Sequence, residues 1–129
     1  MAGGENLTDR ERADIERAAQ RAGKLAGLTF RVLFAHADGD TRTYAERAHA
    51  SLTDPAGSVL IFIDPGARQT QVVTGSLAQR TIDDRAAALA VLAMTTGFSL
   101  GDLAGGVVDG LQMLAQYGHR PPILHTDTP

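Results

Sequence analysis

The sequence predicts an α/β fold: a mixed, mainly parallel sheet of about three to four strands with helices on both faces. Three observations predict it. Segments of helical apolar spacing alternate along the chain with apolar runs of strand length. The run Ser58-Val59-Leu60-Ile61-Phe62-Ile63 is almost continuously apolar, as a central strand covered on both faces would be. Asp64-Pro65-Gly66-Ala67 follows as a turn, with Pro fixing the first corner and Gly free to take a positive φ at the second.

The elements follow in order. Thr8-Asp9-Arg10-Glu11 has the pattern of a capping box, in which the Thr8 hydroxyl and the Glu11 carboxylate each accept the other's backbone N–H. The first helix starts there, with Ile15, Ala18, Ala19, Ala22 and Leu25 at helical spacing and Gly23 or Gly27 to end it. Its interspersed Arg and Glu residues form a solvated face. Leu28 to His36 is rich in β-branched, aromatic and aliphatic residues and runs into Asp38-Gly39-Asp40, so it reads as the first strand. A short helix from about Thr41 to Leu52 carries Tyr44, Ala45, Ala48 and Leu52 as its apolar stripe, and Asp54-Pro55-Ala56-Gly57 closes it. Joined through a helix, the first two strands should be parallel and right-handed.

Gln69 to Thr74 should return antiparallel as the other arm of a hairpin. Thr81-Ile82-Asp83-Asp84 repeats a capping pattern ahead of an alanine-rich helix, from Arg85 to about Thr96. Five glycines fall within 97–110, although each glycine inside a helix costs about 1 kcal/mol relative to alanine. In the last helix Leu103, Val107, Leu111 and Leu114 form one stripe, flanked by Gly106 and Gly110, which lets its backbone lie close to a neighbour. Gly97 and Gly101 are placed in the break before that helix, and Gly105 has no evident packing reason. The organisation expected is a flexible N-terminus 1–7, one domain over 8–117, and a tail 118–129 with three prolines and no periodicity, either frayed or laid along the surface.

At 129 residues, with 43% apolar and 21% charged residues, the chain fits one soluble globular domain. The net charge of −3 and the intermixed acids and bases argue against nucleic acid as a partner. Lys24 is the single lysine among the basic residues, and this preference for Arg, with abundant Ala and Gly, reads as the codon bias of a GC-rich genome. Cysteine is absent, which excludes disulfides and thiolate chemistry. Without a signal-peptide pattern or a membrane-length apolar run, a cytoplasmic protein without a transmembrane segment is expected.

The segment Phe98-Ser99-Leu100-Gly101-Asp102-Leu103-Ala104-Gly105-Gly106 matches phenylalanine, two variable residues, glycine, aspartate, an apolar residue, two variable residues and glycine. Tyr44-Ala45, the run VLIFIDPGARQTQVVTG at 59–75, and Asp83-Asp84 precede it in order. In these motifs, over roughly residues 28–117, the chain resembles the TPM domain family, found in a thylakoid-lumen phosphatase and many bacterial proteins. It looks most like a small actinobacterial branch of that family.

The resemblance implies a mixed sheet with helices on both sides. Some TPM domains bind calcium and hydrolyse phosphomonoesters with acidic residues in the loops at one end of the sheet. The resemblance implies that Asp64, after the second strand, and Asp83 or Asp84, at the following helix start, occupy the matching loops, so Asp64, Asp83 and Asp84 are the candidate metal ligands for calcium or magnesium. The chain departs from the fuller pattern after the hairpin, where the family reads glycine, variable, glycine and shortly a glutamate; Gly75-Ser76-Leu77-Ala78-Gln79 lacks the second glycine and the acid. Turn and cap positions also recruit Asp on their own account, which would explain Asp64, Asp83, Asp84 and Asp102 without a metal. Asp38 and Asp40 read as a solvated loop.

No catalytic residue emerges. His36, His49, His119 and His125 have no metal-ligand spacing, and only His36 stands near the acidic loops. Ser76 has no nucleophile-elbow context, and neither a dinucleotide fingerprint nor a phosphate-binding loop is present. The expectation is a noncatalytic module that binds a protein partner or a small ligand, with a calcium- or magnesium-dependent phosphatase of the TPM type as the alternative.

Overall fold

The computed structural model describes residues 7–119. The chain runs α1 (Asp9–Ala26), β1 (Thr29–Phe34), α2 (Thr41–Ala50), β2 (Ser58–Asp64), β3 (Gln69–Thr74), a 3-10 turn (Ala78–Arg80), α3 (Asp84–Ser99) and α4 (Leu103–Gly118). The expected tail falls, from residue 120 on, outside the described residues, and Gly118 itself closes α4.

The capping box at Thr8 is formed, with Thr8 N–H on Glu11 Oε1 at 2.8 Å and Glu11 N–H on Thr8 Oγ1 at 3.0 Å. Gly27 ends α1 in the left-handed region at φ 70°, and β1 begins two residues later. Ile15, Ala18, Ala19 and Ala22 are buried as the periodicity predicts, but the stripe continues through Ala26 and leaves Leu25 41% exposed. Ala26 lies four residues beyond Ala22 and so stays on the packed side, where Gly118 comes up against it.

The strands form one sheet in the order β1-β2-β3, with β1 parallel to β2 and β2 antiparallel to β3. All seven residues of β2 are buried, as its continuous apolar run requires of a middle strand. The sheet is mixed, but the expectation of a mainly parallel one is corrected: among the described residues one pair is parallel and one antiparallel. The turn after β2 reverses the chain, and the described elements that follow β3 are helical, so among the described residues no second crossover adds a parallel strand.

Helices cover both faces. α1, α3 and α4 pack over Phe30, Val59, Ile61, Ile63 and Val72, with α4 in the middle against both other helices. On the opposite face α2 packs Ala45 and Tyr44 over Leu60, Phe62 and Val73, with Tyr44 edge-on to Phe62 at a centroid distance of 5.4 Å. His49 is buried on this side, with its Nε2 3.0 Å from the Ser58 carbonyl.

Two features of the turns differ from the sequence reading. Gly97 is not in the α3–α4 break; it belongs to α3, and a β carbon there would stand 2.8 Å from the Gly106 Cα. The two glycines thus face each other and let α3 and α4 touch backbone to backbone. The break is Leu100 to Asp102, around Gly101 at φ 83°. Gly105 leaves room for the Asp102 carboxylate, which accepts its N–H at 2.9 Å as the α4 cap. In the β2–β3 turn the positive φ sits at Arg68, 56°, and not at Gly66. The loop therefore spans Pro65 to Arg68, with Arg68 N–H on the Pro65 carbonyl at 3.2 Å, a four-residue hairpin that ends in a left-handed residue.

Candidate functional site

β1 and β2 are parallel, so both present their carboxyl ends to the same rim of the molecule, where open α/β sheets bind ligands. Asp64 closes β2 at this rim and is 2% exposed. Its Oδ2 accepts the Ala37 N–H at 2.9 Å and lies 3.2 Å from His36 Nδ1. Its Oδ1 accepts the Ala67 N–H at 3.2 Å. One carboxylate thereby ties the loop after β1 to the turn after β2. Burial is the largest influence on Asp64 and would raise its pKa, but the Ala37 and Ala67 N–H groups and the His36 imidazole outweigh it and hold the carboxyl below its ordinary value.

Beside this clamp, between the Pro65–Arg68 turn and the α3–α4 corner, lies a cleft of about 550 Å³, within the size range of small-molecule sites. Ile63, Phe98 and Leu103 supply apolar lining, and Arg68, Gln69 and Ser99 polar lining. The hydroxyls of Thr95 and Ser99 are committed to carbonyls of their own helix, at 3.0 Å to Val91 and 2.8 Å to Thr96. Thr70 is different: it is 9% exposed, lines the cleft, and its hydroxyl has no hydrogen-bond partner among the described residues. Arg68, exposed at the rim, has no ion-pair partner among them either.

Asp83 and Asp84 do not join Asp64. Asp83 is the N-cap of α3, accepting the Ala86 N–H at 2.9 Å, and Asp84 is the first residue of that helix. Thr95, on the wall of the cleft, is about three turns further along α3, roughly 16 Å from Asp84. The two candidate loops thus lie at opposite ends of the sheet. Asp83 instead borders a smaller hollow of about 330 Å³ with Arg85, Leu89 and Tyr117. Calcium takes six to eight oxygen ligands, yet no three His, Asp or Glu side chains converge among the described residues, and Asp64 already receives three donors. These carboxylates do not fit a shared cage for a hard cation.

Asp102 and Asp40 are helix caps as well; Asp40, expected to be plain loop, accepts the Thr43 N–H at 2.9 Å, and this bond holds its pKa below the ordinary value. His36 does stand at the acidic loop, but its side chain is 80% exposed and no serine or threonine is hydrogen-bonded to it among the described residues, so a base without a nucleophile results. Arg68 and Thr70 had no role in the sequence reading. A signal for Thr70 exists: in the hairpin register it pairs with Ile63 and so shares the inner face of β2.

The comparisons with known proteins agree with this architecture. The BA42 protein from the psychrophilic bacterium Bizionia argentinensis has a similar structure, with a TM-score of 0.77 at 20% identity over 87% of this chain and 81% of that one. The N-terminal domain of the cg2496 protein from Corynebacterium glutamicum matches with a TM-score of 0.73 at 17% identity, over 87% of this chain and 74% of that one. At such identities the likeness is one of fold. No curated protein matches the sequence. No helix among the described residues is long and apolar enough to cross a membrane. A family profile described as a domain of unknown function, DUF5130, matches residues 4–115, and the chain therefore belongs to the DUF5130 family.

Proposed function

We propose that the protein is a noncatalytic binding module whose cleft at the carboxyl end of β2 takes a small amphipathic ligand with an anionic head. One observation carries this reading: the Thr70 hydroxyl and the Arg68 guanidinium, neither with a partner among the described residues, share the cleft with the apolar side chains of Ile63, Phe98 and Leu103. A carboxylate head on Arg68 and Thr70 would supply the missing bond, while an alkyl or aryl body covers Phe98 and Leu103. The dispersal of Asp64, Asp83 and Asp84 favours this over the metal-dependent phosphatase that the TPM resemblance implies.

The test is a titration of the labelled protein with octanoate, followed by amide chemical shifts, beside parallel titrations with inorganic phosphate and calcium. Saturable shifts from octanoate at Arg68, Thr70 and Phe98 are expected, weakened at least tenfold in Arg68→Ala. Calcium shifts that collect at Asp64 and at Asp83 or Asp84, with phosphatase activity, would overturn the reading in favour of the metal enzyme. Silence in the cleft with every probe would overturn it as well.

A further inference from the structure

The sheet has two edges, β1 and β3. On β3 the Arg42 guanidinium, reaching over from α2, donates to the outward Val72 carbonyl at 2.9 Å and approaches the Gln71 side chain at 3.3 Å. That edge is guarded by a charge, as exposed edges commonly are.

On β1 the exposed Arg31 is the strand's one charge, and among the described residues no side chain bonds the outward backbone groups. The Thr29 and Ala35 N–H groups donate to the Gly57 and Ile63 carbonyls on the β2 side, each at 3.0 Å. Parallel pairing alternates, so Phe30, Val32 and Phe34 turn both N–H and C=O away from β2, and among the described residues nothing bonds to them. α2 packs on β2 and β3, so on that face Arg31 is exposed and Leu33 is 36% exposed.

We propose that this edge pairs antiparallel with the β1 edge of a second copy of the chain, making one continuous sheet through the dimer. The pleat sets the register. Residues opposite each other must share a face, so the two-fold axis falls on a residue and not between two. Centred on Val32, the pairing sets Phe30 against Phe34 of the second copy and Arg31 against Leu33 of the second copy, so no like charges lie directly opposite. The outward groups of Phe30, Val32 and Phe34 then meet as the closely bonded pairs of an antiparallel ladder.

The helix above the edge is complementary in charge under the same symmetry. α1 packs over β1, with α4 on its other flank. Residues 9–16 of α1 carry four acids against two arginines, whereas 17–26 carry Arg17, Arg21 and Lys24 and no acid. α1 and β1 run in opposite directions through the tight connection at Gly27. Val32 lies about 13 Å up the strand from Leu28, a distance that about nine helical residues span. The axis therefore passes near Arg17, at the boundary between the halves. The acidic half of each α1 is brought alongside the basic half of the other, which is the isologous, self-complementary contact that a two-fold requires.

A single strand edge buries less than the roughly 1,200 Å² at the lower bound of standard interfaces, so the dimer forms at high protein concentration. Sedimentation and amide exchange of the full chain over a concentration series test it. The dimer fraction should rise with concentration, and exchange at Phe30, Val32 and Phe34 should slow at least tenfold in step, while Arg31 and Leu33 stay protected throughout by β2. Val32→Pro removes an outward N–H without touching the β1–β2 ladder, and should abolish the dimer in a chain that still unfolds cooperatively. Arg21→Glu with Lys24→Glu should lower the dimer fraction at least tenfold at fixed concentration. Fast exchange of the outward amides at every concentration would overturn the proposal. So would their protection in the dilute monomer, which would put another segment of the same chain on the edge, or a dimer undiminished in both variants.

Discussion

At the amino end of β2 the acids Asp83 and Asp84 are exposed at the start of α3; at its carboxyl end Asp64 is buried and receives three hydrogen bonds. The residue type is the same and so is the position at a chain reversal. Asp83 is itself exposed and satisfies a single N–H, that of Ala86, within the first turn of its own helix, so its loss leaves one bond open and separates no loops. Asp64 satisfies the buried Ala37 N–H and the half-buried Ala67 N–H from two different loops, and at least the first has no water to turn to. Burial, not charge, decides which acid organises the molecule.

The largest expected effect is on Asp64→Ala, which orphans the donors of both loops and should cost about 3 kcal/mol in denaturant unfolding. The contrast between the two ends would break if this variant were no less stable than Asp83→Ala. A smaller effect is expected from pH. The folded pKa of Asp64 is lowered, so its contribution is complete above the ordinary carboxylate value and is lost as pH falls through the folded one. Around neutral pH this contribution is therefore full and does not vary with pH, and an acid-side decline should begin below about pH 4. Asp64→Asn should show a shallower decline, and an unchanged acid limb would assign it to other carboxylates. The smallest effect is on Asp83→Ala, about 1 kcal/mol for the loss of an N-cap. A loss several times larger would place that acid in a tighter role than a cap.

Local patterns were legible along most of the chain. The capping box at Thr8, the buried run of β2, the hairpin into β3 and the stripe of α4 each depend on residues within a few positions of one another, and each is present. Misreadings occur where a distant contact decides. Gly97 sits in α3 because Gly106 comes against it, a proximity no spacing announces. The left-handed residue of the hairpin moved from Gly66 to Arg68 because the loop closes between the arms of a β2–β3 register set by pairing along both strands. The candidate site was half legible: Asp64 stood out as the acid after the central strand, but Arg68 and Thr70 gain meaning only beside Phe98 and Leu103, some thirty residues on.

Hydrophobic period and cap chemistry alone determined that this chain forms an α/β domain with a doubly covered central strand, since both act over one or two turns of backbone. The tertiary structure decided that the candidate acids stay apart, which cleft Asp64 borders and which sheet edge stays open. Those outcomes depend on where α3 and α4 set their ends against the sheet, and that is a matter of packing between residues far apart in the chain.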